Sequence, residues 1–112
     1  MSVASLSSID WHDLPVSEVR ISETGLSLVI EPYNKASASY GTRILRITNA
    51  RTIELKIVGS LNKKDASSME IASFSHSLLP SGRITGTLGL LPGEAGYWEI
   101  TFVDACCEIV DA

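Results

Sequence analysis

The chain has 112 residues, of which 45% are hydrophobic and 20% charged, and its net charge is −4. That length holds one ordinary domain, residues 1–112, and the composition is that of a globule rather than a disordered chain. Nine Lys and Arg scattered among thirteen Asp and Glu argue against nucleic-acid binding, and the short apolar runs argue against a membrane span.

Residues 1–8 are serine-rich and are expected to be a flexible lead-in; they lack the basic head and long apolar centre of a secretory signal. Asp10-Trp11-His12-Asp13-Leu14-Pro15 predicts an ordered turn, because Asp side chains accept from nearby backbone N–H groups and Pro15 keeps Leu14 out of a helix. Val19 and Ile21 alternate with polar residues and predict a strand at about residues 16–22. Glu23-Thr24-Gly25 reverses the chain into a second strand carrying Leu26, Leu28 and Ile30, which ends at Pro32. A small polar loop over 34–39 leads to a strand over 40–48, and Asn49-Ala50-Arg51 turns into another with Ile53, Leu55 and Ile57 on one parity.

Residues 59–68 break the rhythm, and Asp65 could cap at most one short helical turn. From Met69 to Leu79 the apolar parity switches between Ile71 and Phe74, which predicts a bulge near Ala72-Ser73. Pro80-Ser81-Gly82 turns the chain into a hairpin with Ile84, Leu88 and Leu90 on one arm and Trp98, Ile100 and Phe102 on the other, closed by Pro92-Gly93 and Gly96. Gly86 shares the apolar parity, so an aromatic such as Trp98 is expected to lie over it. Past Phe102 the parity shifts again, which places a bend or bulge at Asp104 and a last strand running to about Val110. The fold class is all-β: an antiparallel β-sandwich or small β-barrel of about seven to nine short strands.

Chemistry-bearing motifs are scarce. Walker, Gly-x-Gly-x-x-Gly, His-Glu-x-x-His and Gly-x-Ser-x-Gly patterns are all missing, so no catalytic residue and no cofactor are assigned. His12 between two carboxylates could hold a metal or act as a base, but zinc needs three or four ligands and the only other histidine is His76. A structural corner therefore ranks first, with the Asp10 side chain accepting from the His12 amide, the Asp13 side chain accepting from the Val16 amide, and Trp11 packing inward; no metal is assigned. His76 shares a parity with Phe74 and Leu78 and is expected to be half-buried. Glu94, at the loop tip between Gly93 and Gly96, joins Trp11, His12 and Asp13 as a candidate binding residue. Tyr33, Tyr40 and Tyr97 suit either surface contacts or cross-strand packing. Cys106 and Cys107 point to opposite faces of a strand and cannot easily bridge, which suits two reduced thiols in a cytoplasm.

Trp11-His12-Asp13, followed by Val16, Val19 and Ile21 and then Gly25-Leu26-Ser27-Leu28, resembles a pattern in small uncharacterised bacterial all-β proteins, some of them immunity-type proteins of polymorphic-toxin systems. The resemblance covers about the first thirty residues. It implies a cytoplasmic bacterial protein that works by binding another protein, and it carries over no catalytic residue. An acidic chain suits an inhibitor of a basic toxin through charge steering.

These readings converge on a non-enzymatic protein-binding domain that uses an open sheet edge or face, with self-association as a homodimer close beside it. The alternative is a barrel that holds a small ligand or lipid. An enzyme or metal site centred on His12 ranks third.

Overall fold

The computed structural model describes residues 9–34, 36–58, 69–92 and 96–111. Among these there is no helix, and the strands are β1 (Leu14–Ser22), β2 (Gly25–Ile30), β3 (Tyr33–Asn34), β4 (Ser39–Tyr40), β5 (Arg43–Thr48), β6 (Thr52–Val58), β7 (Met69–Leu78), β8 (Ile84–Pro92) and β9 (Tyr97–Asp111). The lead-in over 1–8, the Asp65 cap and Glu94 lie outside the described residues.

Seven strands form one antiparallel sheet in the order β5-β2-β1-β7-β8-β9-β6, while β3 and β4 pair as a separate ribbon. A further pairing of β5 with β9 closes the ring β1-β2-β5-β9-β8-β7. The opposite seam is short: residues 14–16 of β1 meet 69–71 of β7. β9 is 15 residues long and serves both halves. Its residues 97–103 run beside β6, residues 98–102 also pair with β8, and 106–111 run beside β5. The result is a flattened barrel with Cα extents of 39 × 36 × 21 Å.

The inner parity of each strand supplies the core. Leu28, Ile30, Leu45, Ile47, Ile71, Leu88, Leu90, Ile100 and Phe102 are almost wholly buried. Each side chain of this size stabilises the fold by about 1.5–3 kcal/mol when removed from water. The parity switches read from the sequence are bulges. β7 shifts register between Ile71 and Ser73, leaving Ala72 without a partner on β8. β9 gains a residue opposite Ile84–Gly86, where Asp104 takes a φ of 55°. A third shift, between Val16 and Glu18 in β1, lets Leu14, Val16, Val19 and Ile21 share one face despite their odd spacing.

Three expectations change. The loop over 34–39 contains the ribbon of β3 and β4, with Tyr33 opposite Tyr40. The strand expected over 40–48 is broken at Gly41, whose N–H donates to the Pro32 carbonyl at 2.9 Å and closes that ribbon. Gly86 is covered by Phe102, its direct cross-strand partner, and not by Trp98, which lies opposite Leu90. The extra residue at Asp104 sets that register. At the β1–β2 reversal, Gly25 has a φ of 150°, and a Cβ there would overlap the Ile47 carbonyl oxygen. Only glycine lets β2 start in contact with the end of β5.

Candidate functional site

At the N-terminal corner Asp10 and Trp11 are placed as the spacing predicts, while the Asp13 carboxylate, expected to accept from Val16, lies beside His12. The His12 N–H donates to Asp10 Oδ1 at 3.2 Å. Trp11 turns inward, is buried, and meets Phe74 edge to face with ring centroids 4.9 Å apart. His12 and Asp13 are exposed. His12 Nδ1 donates to the Ala72 carbonyl at 3.1 Å, and its Nε2 lies 3.4 Å from Asp13 Oδ2. The Ala72 carbonyl first, then the Asp13 carboxylate, raise the imidazole pKa above 6.5. The bulge supplies this acceptor, since Ala72 has no partner on β8. The Asp13 N–H donates to the Ile71 carbonyl at 2.8 Å, with Asp13 itself at a φ of 60°. The corner thus clips the chain ahead of β1 onto the kinked part of β7.

This corner lines a shallow cleft of about 280 Å³ together with Tyr33 and Tyr40, whose rings meet edge to face at 5.1 Å. His76 is half-buried and packs edge-on against Phe74, at 4.9 Å. Among the described residues, no three of His, Cys, Asp and Glu come together as a metal-binding group.

A larger cleft, of about 500 Å³, lies between the β1–β2 reversal and β6. Leu26 and Ile100 form its floor, and Ile21, Ala50, Ile53 and Leu55 its walls. The floor is buried but the walls are open: Ile21 is 65%, Ile53 43% and Leu55 41% exposed. The register explains the opening. Ile53, Leu55 and Ile57 lie opposite Phe102, Ile100 and Trp98, so they sit on the face that is core in β9. β2, however, begins at Gly25 opposite Thr48, so β6 runs on beyond its end. Among the described residues, nothing from the facing wall covers the apolar side of β6 there. Among the described residues β6 pairs with β9 alone, which leaves its second edge open. Alternate N–H and C=O groups on such an edge lack a strand partner. Sequence reasoning did not single out this cleft, because β6 alternates just as the buried strands do.

A polar cluster holds the kink between the two halves of β9. Arg83 donates through Nε to Asp104 Oδ1 at 2.6 Å, and through Nη2 to the Asp104 carbonyl at 2.6 Å and to the Asn49 carbonyl. Its Nη1 lies 3.2 Å from Cys106 Sγ. The Asp104 N–H donates to Thr85 Oγ1 at 3.1 Å. Asn49 and Asp104 both have positive φ, 53° and 55°, so one guanidinium ties together the two points where paired strands bend. An arginine opening an apolar strand and an aspartate breaking the parity of the next were the available signals. Cys106 is exposed and Cys107 buried, on opposite faces as expected. Burial foremost, with the neighbouring Glu108 and Cys106 charges, pushes the Cys107 thiol up to about 12. That thiol is therefore a space-filling hydrophobe without thiolate chemistry at neutral pH.

No family model, curated protein or solved structure matches the chain.

Proposed function

We propose that this is a non-enzymatic protein-binding domain whose contact surface is β6 together with the cleft beside it. One observation carries the reading: among the described residues, a strand whose core-type face is left open also has an unpaired edge. An added strand gains main-chain hydrogen bonds from the edge and apolar contacts from Ile53 and Leu55, the usual means of strand-addition recognition. The immunity-type form of the reading makes the partner basic, since a chain of net charge −4 steers basic proteins toward itself. Two unbridged cysteines suit a reducing compartment such as the cytoplasm. The test is affinity capture by the wild-type chain and by Leu55→Lys, each followed by cross-linking and mass spectrometry. The wild type should retain a protein that cross-links at Lys56, and Leu55→Lys should lose it. Capture indifferent to Leu55→Lys would discard β6 as the surface.

The cleft also supports a second reading, a site for a small apolar ligand, because about 500 Å³ falls within the size range of ligand pockets. A thermal-shift series with straight-chain fatty acids tests it. A ligand at a hundred times its Kd adds about 2.7 kcal/mol of stability. A flat response across the series removes this reading.

A further inference from the structure

We propose that the open edge of β6 is the seam of a homodimer, pairing antiparallel with β6 of a second copy about a two-fold axis at Leu55. The inference rests on reading β6 as an interaction surface and names its occupant.

The strand is self-complementary. β6 spans seven residues, Thr52–Val58, and Leu55 is its midpoint. A two-fold antiparallel pair centred there leaves no residue of β6 unmatched. Thr52 faces Val58 of the second copy, Ile53 faces Ile57, Glu54 faces Lys56, and Leu55 faces its own counterpart. Because the axis is perpendicular to the sheet, Ile53, Leu55 and Ile57 of both copies stay on the cleft side. Glu54 and Lys56 of both copies then lie on the opposite side as two ion pairs. Glu54 and Lys56 are exposed, and neither forms an ion pair among the described residues. On β9, Lys56 lies opposite Glu99. In the dimer each Lys56 would therefore stand between two carboxylates, Glu99 of its own chain and Glu54 of the second copy.

Neighbouring registers are worse. Centring the pair on Glu54 sets Glu54 against Glu54, and centring it on Lys56 sets Lys56 against Lys56. Like charges directly opposite each other destabilise a strand pair. A slip of one residue in one strand would turn Ile53 and Leu55 toward the charged side of the partner. A lysine on an edge strand ordinarily discourages pairing with a foreign strand. Here its charge is matched only when the incoming strand is another β6.

The test measures the mass of the full chain by light scattering and sedimentation over a concentration series. The wild type should pass from one chain to two. Glu54→Lys and Lys56→Glu should each weaken association about tenfold or more, because each turns both ion pairs into like-charge pairs. The double variant E54K/K56E should recover most of the association lost in the singles, short of the wild type because a glutamate in place of Lys56 faces Glu99 of its own chain. A mixture of the two single variants should form mixed dimers that neither forms alone. Glu54→Lys also makes the chain less acidic overall, so weaker association in that variant cannot come from net charge. The substituted positions are exposed, and far-ultraviolet circular dichroism should be unchanged in every variant. A wild type that keeps the mass of one chain throughout overturns the inference, as does a double variant as weak as the singles. A monomeric wild type that still captures another protein in a Leu55-dependent way would end the dimer and leave the binding domain standing. With neither association nor Leu55-dependent capture, both fall.

Discussion

A Cβ on Gly86 would meet the Ser75 carbonyl oxygen at 2.6 Å and Phe102 Cζ at 2.9 Å. The first contact is backbone inside a paired strand and cannot move cheaply. Gly86→Ala should therefore cost about 1–3 kcal/mol in urea unfolding, the usual range for an overpacked core. An unchanged midpoint would mean that β7 and β8 can part locally. The need for an aromatic over this glycine was legible in the sequence, but which aromatic was not, because the bulge at Asp104 sets the register. His12 gives a pH-dependent signature. Its pKa is raised in the folded chain, so protonation stabilises the fold. That contribution is fully present below the unfolded value of 6.5 and is lost as pH rises through the higher folded value. His12→Asn should lower the melting temperature more at pH 5.5 than at pH 8.5, two conditions chosen at about one to two pH units on either side of an ordinary histidine. A deficit equal at both pH values would show that the Ala72 carbonyl and Asp13 do not bias the imidazole.

Among the elements, β9 does the most connecting, and its kink depends on Arg83. The side chain is about one-third exposed, so its ion pair with Asp104 is partly screened. Its contacts with the Asp104 and Asn49 carbonyls add directional hydrogen bonds at two positive-φ residues. Arg83→Met should cost about 1–2 kcal/mol after that screening. Arg83→Lys should recover less than half of the loss, because a single ammonium cannot reach three acceptors in a fork. Full recovery by lysine in denaturant titrations would reduce the cluster to a simple charge pair. The bulges in β7 and β9 could be read from parity switches, since a two-residue period makes one extra residue visible. The pairing of Arg83 with Asp104 could not, because no periodic pattern links a residue at the start of one strand to a bulge in the next.

At the level of the molecule, apolar burial is uneven. Leu45 and Leu55 come from strands of the same alternation, yet Leu45 is fully buried and Leu55 is open. Measured at low protein concentration, Leu45→Ala should cost about 2–5 kcal/mol and Leu55→Ala about 1 kcal/mol or less. Equal losses would mean that the cleft is closed in solution. Alternation along the chain was enough to specify an all-β fold and the bulges in β7 and β9, and the Asp-Trp-His-Asp corner was enough to turn Trp11 inward. A side-chain period of two is local, and it survives whatever the strands pair with. Closure of the ring through β5 and β9, the clamp at Arg83, and the bare face of β6 arise from which strands end up opposite one another. Alternation tells a residue which face it is on, but coverage of that face depends on where a distant strand begins, here Gly25 against Thr48.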